Sequence, residues 1–126
     1  MKKVFFFGIL FLSLYSCKQE SYSMELIQPK ELAELIQKGE IQLVDVRTQG
    51  EYNNGAIEGA VLIDFYNNNF VQKVAEQFDK KKPIYLYCEL GSRSNKAAQL
   101  LIQNGFHNVY DLDGGYYKWL KNQKKK

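Results

Sequence analysis

Cys88 stands at a junction. Before it runs Ile84-Tyr85-Leu86-Tyr87, apolar and β-prone; after it comes Glu89-Leu90-Gly91-Ser92-Arg93, a tight loop with one glycine; a helical pattern begins at Ser92 to Ser94. The first backbone N–H groups of a helix have no partner inside it and point out of its end. A loop curling into that end adds further N–H groups and makes an anion-binding concavity. A free thiol titrates near about 8.5, and moving one to about 6 takes about 3 kcal/mol of preference for the anion. A helix end offers only ~0.3–1 kcal/mol at an exposed position, so loop N–H···S contacts must supply the rest. Arg93 fits this chemistry: a cation in the first turn of a helix opposes the helix dipole unless an anion lies beside it. The bland alternative is a small buried residue at a strand end, a common fate of free cysteine.

The surrounding elements place that junction. Met24 to Ile27 reads as a brief edge strand. Pro29 suits the first turn of a helix; Leu32, Leu35 and Ile36 follow at helical spacing, and Gly39 stops it. Ile41 to Val46 is a buried strand, Thr48 to Asn53 a short helix that Thr48 can cap, and Val61 to Ile63 another strand. Phe70, Val71, Val74 and Phe78 line one face of the next helix. Ile84 to Tyr87 forms the central strand. Ser94 to Asn104 is a helix burying Ala97, Ala98 and Leu101 and ending at Gly105. Val109 to Leu112 is a strand, Asp113-Gly114-Gly115 a turn, and Tyr116 to Lys121 a last helix with Trp119 inward. Alternation of strands and helices argues for an α/β domain with a mainly parallel sheet and helices on both faces. Ligands in such sheets bind beyond the carboxyl ends of the strands, and Cys88 lies immediately beyond one.

The amino terminus is built differently. Lys2 and Lys3 precede the apolar run Val4 to Leu12, which leads into Leu14-Tyr15-Ser16-Cys17. This is the plan of an export signal, too short for a membrane span of about 20 apolar residues. Its end resembles the lipobox of bacterial lipoproteins, with Tyr15 in place of the usual small residue. The resemblance implies cleavage before Cys17 and a lipid on its sulfur, and hence an extracytoplasmic chain anchored to a bacterial membrane on its periplasmic or outer-membrane face. These readings divide the 126 residues into a signal peptide over 1–16, a lipidated tether over 17–23, a folded domain over 24–121 and a basic tail over 122–126. Loss of Lys2 and Lys3 would lower the formal net charge of +3 by two, leaving no electrostatic case for nucleic acid. With Cys17 acylated, Cys88 has no partner for a disulfide, and a leftover thiol in an exported protein is intermolecular or reactive. A single His and a single remaining Cys do not complete a zinc shell without carboxylates; no metal and no cofactor is expected.

Four stretches together resemble a rhodanese domain over about Met24 to Leu120: Asp45-Val46-Arg47 with Glu51 and Tyr52, Gly55-Ala56-Ile57-Glu58-Gly59-Ala60, Cys88-Glu89-Leu90-Gly91-Ser92-Arg93-Ser94, and Asp113-Gly114-Gly115 followed by Trp119. The resemblance implies a five-stranded, mostly parallel sheet between helices and a sulfurtransferase. Cys88 would take a sulfane sulfur from a small sulfur-containing anion or a persulfide donor and pass it to cyanide or a thiol, in two covalent steps. Loop N–H groups from Glu89 through Leu90, Gly91 and Ser92 to Arg93 would hold the anionic sulfur, and Arg93 would orient the donor. Asp45 and Arg47 would be structural, an ion pair steadying the loop.

The loops of phosphatases and arsenate reductases sharing this fold are one residue longer; here four residues stand between Cys88 and Arg93, a ring better suited to sulfur. Ala56 replaces a histidine found in many relatives, and Glu89 puts a carboxylate where neutral or basic residues are common. A negative charge there disfavours thiosulfate, which keeps a persulfide, a polysulfide or a partner protein open as the donor. His107, between a helix end and a strand, reads as a solvated turn residue rather than a base for Cys88. The rival readings are a non-catalytic binding module on the same scaffold and a persulfide carrier for a partner protein.

Overall fold

The computed structural model describes residues 2–4 and 13–125. The apolar stretch 5–12, on which the export signal rests, lies outside them. Strands and helices alternate along the chain: β1 (Ser23–Ile27), α1 (Pro29–Lys38), β2 (Gln42–Asp45), α2 (Gln49–Asn53), β3 (Val61–Leu62), α3 (Phe70–Gln77), β4 (Ile84–Tyr87), α4 (Ser92–Gln103), β5 (Asn108–Leu112) and α5 (Gly115–Gln123). The strands form one sheet in the order β1-β5-β4-β2-β3, and every pairing is parallel. The sequence predicts a mostly parallel sheet; the edge pair, β1 with β5, is parallel too. No helix among the described residues is long and apolar enough to cross a membrane.

β4 occupies the middle of the sheet and all its residues are buried, as a strand covered on both faces must be. Its alternation divides the core. Ile84, Leu86 and Cys88 pack with Ala97, Ala98 and Leu101 of α4 and with Phe70 and Val74 of α3. Tyr85 and Tyr87 face the other way, toward Ile27, Leu32, Leu43 and Leu112, under Tyr116 and Trp119 of α5. Leu101 is fully buried; truncating such a side chain to Ala costs about 2–5 kcal/mol.

Element ends differ from the sequence reading by a few residues, each for a local reason. Ser23 joins β1 because its side chain bonds Asn108 across the strand pair. α4 starts at Ser92, not Ser94, because Gly91 takes the left-handed conformation (φ 114°) and serves as its N-cap without a side-chain bond. α5 runs on to Gln123, into the expected tail. Thr48 caps α2 as expected, with a reciprocal bond from its backbone N–H to Glu51, the pattern of a capping box.

Candidate active site

Cys88 lies one residue beyond the carboxyl end of β4, and the Gly91 N–H reaches its Sγ at 3.1 Å. The Ser94 Oγ lies 3.4 Å from the same sulfur, with either atom able to donate, and Ser94 also donates to the Gly91 carbonyl at 3.1 Å. The residue is only 1% exposed and its side chain belongs to the packed cluster that includes Val46, Ile63 and Ala98. The sequence predicted a thiol at the centre of an open cup of several amides. The structure instead holds a covered thiol with one amide and one hydroxyl on the sulfur, because β4 carries Cys88 inward on the same face as Ile84 and Leu86. Leu90, at the loop tip, is 69% exposed.

Arg47 and Asp45 form the frame beneath the loop. Both are buried. The Arg47 Nε donates to both Asp45 oxygens at 3.0 Å and Nη2 to Oδ2 at 2.6 Å, the bidentate geometry that suits a guanidinium best. Nη2 also reaches the Gly55 carbonyl at 2.7 Å and Nη1 the Glu89 carboxylate at 3.0 Å. The guanidinium carbon sits 4.3 Å from the Tyr116 ring centroid and 5.4 Å from that of Tyr87. Burial alone would make Arg47 easier to deprotonate; the hydrogen bonds and charge of Asp45, with Glu89 behind them, reverse this and hold it above its ordinary value. Glu89, expected to leave a negative charge beside the thiol, therefore has a cation as partner. Burial raises the Tyr87 phenol, whose oxygen accepts from the Ile57 N–H at 3.1 Å.

Arg93 is engaged differently. Its Nη1 and Nη2 donate to the two Glu51 oxygens at 2.7 and 2.8 Å. The Arg93 hydrogen bond draws the Glu51 carboxyl down to about 2, and the same bond holds Arg93 above its ordinary value. The cation expected to meet a donor is thus paired with the carboxylate that closes the α2 cap. A guanidinium has five N–H groups, so Arg93 keeps donors beyond the two that face Glu51.

The loop backbone is gripped from the chain's far end. The Tyr116 N–H donates to the Cys88 carbonyl at 2.8 Å and the Tyr117 N–H to the Glu89 carbonyl at 3.1 Å, so the unpaired first donors of α5 fasten the loop. Gly115 makes this approach possible: at φ 61°, a Cβ there would lie 2.5 Å from the Glu89 carbonyl oxygen and 2.7 Å from that of Cys88. The Asp113-Gly114-Gly115 turn read from the sequence is therefore a docking point as well as a turn.

Asp111, on β5 beside β4, is 2% exposed, and its Oδ1 has no hydrogen-bond partner among the described residues. Burial pushes its carboxyl up to about 6, against opposing contributions from Ser94 and Asn95 of α4. No signal in the sequence set Asp111 apart except its strand period, which places it on the same face as Val109. Glu51 and Ser94 were likewise read only as parts of motifs. His107 contacts Glu20 at 3.6 Å and stacks edge-on to Tyr22, just before the amino end of β5 and so at the opposite end of the parallel strands from Cys88. Both Cys17 and Cys88 are free, and Cys17 is exposed.

Comparison with known proteins follows this geometry. A family model described as "Rhodanese-like domain" matches residues 28–122. A Shewanella oneidensis protein named thiosulfate sulfurtransferase GlpE is 34% identical over 97 residues, covering 77% of this chain and 93% of that one. A Pelagibacter ubique tRNA uridine(34) hydroxylase is 39% identical over 100 residues, 79% of this chain but 33% of its own length. A crystal structure of a rhodanese-like domain protein from Staphylococcus aureus superposes with a TM-score of 0.67 at 31% identity, over 76% of this chain and 91% of that one.

Proposed function

The chain belongs to the rhodanese-like domain family, and on that premise we propose that it is a sulfurtransferase that carries sulfane sulfur as a persulfide on Cys88. The observation that carries this reading is the placement of the Cys88 sulfur beyond the end of β4, with the Gly91 N–H at 3.1 Å and the Ser94 hydroxyl at 3.4 Å. Both groups can donate to an anionic sulfur, which is what the attacking thiolate and the persulfide share. The relative named thiosulfate sulfurtransferase supports the same chemistry.

The steps follow from these contacts. The Cys88 thiolate attacks the outer sulfur of the donor, the donor's S–S bond breaks, and its electron pair leaves with the remainder of the donor. A thiolate or cyanide then attacks the outer sulfur of the persulfide and the electron pair returns to Cys88. The Gly91 N–H stabilises the charge of the attacking thiolate and of the persulfide, and the Ser94 hydroxyl does so when its proton turns from the Gly91 carbonyl to the sulfur. Arg93 orients an anionic donor through the N–H groups that Glu51 leaves free, and the loop amides of Glu89, Leu90, Ser92 and Arg93 close round the added sulfur. Asp45 and Arg47 hold the loop in shape. Residues 1–16 serve as an export signal, and a lipid on Cys17 anchors the domain outside the cytoplasm.

Incubation with thiosulfate or a polysulfide should add about 32 Da, sulfur's own mass, to the intact protein. Cyanide should remove it, and Cys88→Ala should abolish both. Absence of any sulfur adduct with every donor class would overturn the reading. One observation favours a second reading, a module that binds without transferring: Cys88 is 1% exposed. Capture of one partner equally by wild type and Cys88→Ala, without an adduct on either, would establish that alternative.

A further inference from the structure

Beside the thiol loop lies a groove of about 550 Å³ between α5 and the first turn of α1. Leu90 of the loop forms one wall. Tyr117, Lys118, Lys121 and Lys125 line it from α5 and beyond, and Lys30 from α1. The α5 residues fall at the spacing of one helix face. Lys118 is paired with Asp113 at 2.5 Å. Lys30, Lys121 and Lys125 have no carboxylate within 4.0 Å among the described residues, and the Lys121 ammonium lies 4.4 Å from the Tyr117 ring centroid.

The distribution of paired and unpaired cations is what matters. Both arginines at the thiol already hold carboxylates, Arg47 those of Asp45 and Glu89 and Arg93 that of Glu51. In the groove, by contrast, Lys30, Lys121 and Lys125 carry ammonium groups with no carboxylate partner among the described residues. From Lys118 to Lys125 the chain, helical as far as Gln123, advances about 10 Å at ~1.5 Å per residue, the length of about three extended residues. A small anion would meet one or two of these ammonium groups; an extended acidic segment would meet all of them. Leu90 is two residues from Cys88, at most about 7 Å along the chain, so a segment leaving the groove over Leu90 arrives at the thiol.

We propose that this groove docks an acidic, extended segment of the protein that accepts the sulfur, with the accepting cysteine emerging over Leu90. The inference rests on the sulfurtransferase reading and names its acceptor class. In the transfer step the acceptor thiol loses its proton to solvent and its thiolate attacks the outer sulfur of the Cys88 persulfide. A new S–S bond forms on the acceptor as the old one breaks, and the electron pair stays with Cys88. The outer sulfur keeps its oxidation state, so no further oxidant or reductant is required.

The test compares sulfur-loaded protein reacting with a peptide of consecutive glutamates ending in Gly-Cys, with its glutamine counterpart, and with cyanide. The acidic peptide should react about tenfold faster than the glutamine peptide at low ionic strength, given the modest value of each exposed charge pair. The advantage should vanish at 1 M salt, where the screening length is about 3 Å. Lys121→Glu with Lys125→Glu should reverse the ratio of acidic to glutamine peptide. Equal rates for the two peptides, with cyanide still consumed, would overturn the groove and leave the sulfurtransferase reading standing. Failure to load or release sulfur at all would overturn that reading instead. In that event calorimetric titration of a cysteine-free glutamate peptide decides the groove: binding lost in the double variant upholds it as a docking site, and no binding overturns it. Binding of phosphatidylglycerol vesicles without binding of the peptide would assign the groove to a membrane and likewise overturn the proposal.

Discussion

The strand that carries Cys88 has a buried aspartate on each neighbour, and the fold treats the two in opposite ways. Asp45 on β2 and Asp111 on β5 pair with adjacent positions of β4, opposite Tyr87 and Leu86. Asp45 receives three guanidinium contacts from Arg47. Asp111 has no cation, and its Oδ1 has no partner among the described residues. A buried carboxylate with a bidentate arginine is held at fixed geometry, whereas one without a partner responds to burial by keeping its proton longer. The β2 flank is therefore a rigid frame for the loop, while the β5 flank changes charge near pH 6.

Breaking the frame should have the largest effect. Arg47→Ala leaves Asp45 buried and uncompensated and should cost about 3–5 kcal/mol, a fall in Tm of about 15–30 °C for a domain of this size, measured by thermal melts. Asp45→Asn in the Arg47→Ala background should recover part of that loss, because the charge left behind is removed; additive losses would show that the pair is not the source of the stability.

The β5 flank should show the opposite sign. The Asp111 carboxyl rises from an ordinary 3.8 to about 6 in the folded chain, so the folded state binds its proton more tightly than the unfolded state. Its contribution to stability is greatest below about 4, declines as pH rises through about 6, and is flat and unfavourable above. Asp111→Asn should stabilise the protein at pH 7 by about 1–3 kcal/mol, as each tenfold change in proton affinity is worth about 1.4 kcal/mol. The difference between variant and wild type in urea midpoints should disappear by pH 4. A difference independent of pH would mean that the carboxyl is not the titrating group.

Glu51 provides the smallest effect and the finest discrimination. Its pair with Arg93 is partly exposed, with side chains at 30% and 19%, and Glu51→Gln should cost no more than about 1 kcal/mol. The same change frees Arg93 and should lower the KM for thiosulfate several-fold while leaving that for a neutral donor unchanged. An unchanged KM for thiosulfate would remove Arg93 from donor binding.

Much of this was legible in the residues. The apolar run from Ile84 ending at Cys88 and the alternation of strands and helices depend on neighbours close in sequence or on simple periodicity, and the ion pair of Asp45 with Arg47 follows from the family resemblance. Thr48 announces a helix start by its residue type alone. The second task of Glu51 was not legible, since Arg93 lies 42 residues away and only the assembled sheet brings them together. The same holds for Tyr116 and Tyr117, whose amides meet carbonyls of the thiol loop. The burial of Cys88 depends on Val46, Ile63 and Ala98, which arrive from three different segments, and no local pattern around the cysteine encodes it.

The grip of α5 on the thiol loop has a temporal consequence. Residues 116 and 117 are among the last of the domain to leave the ribosome. Until they arrive, the carbonyls of Cys88 and Glu89 lack the amides that hold them. The surroundings of Cys88 are thus completed at the close of synthesis, and a chain cut short before Gly115 would carry the cysteine without the amides that fasten its loop.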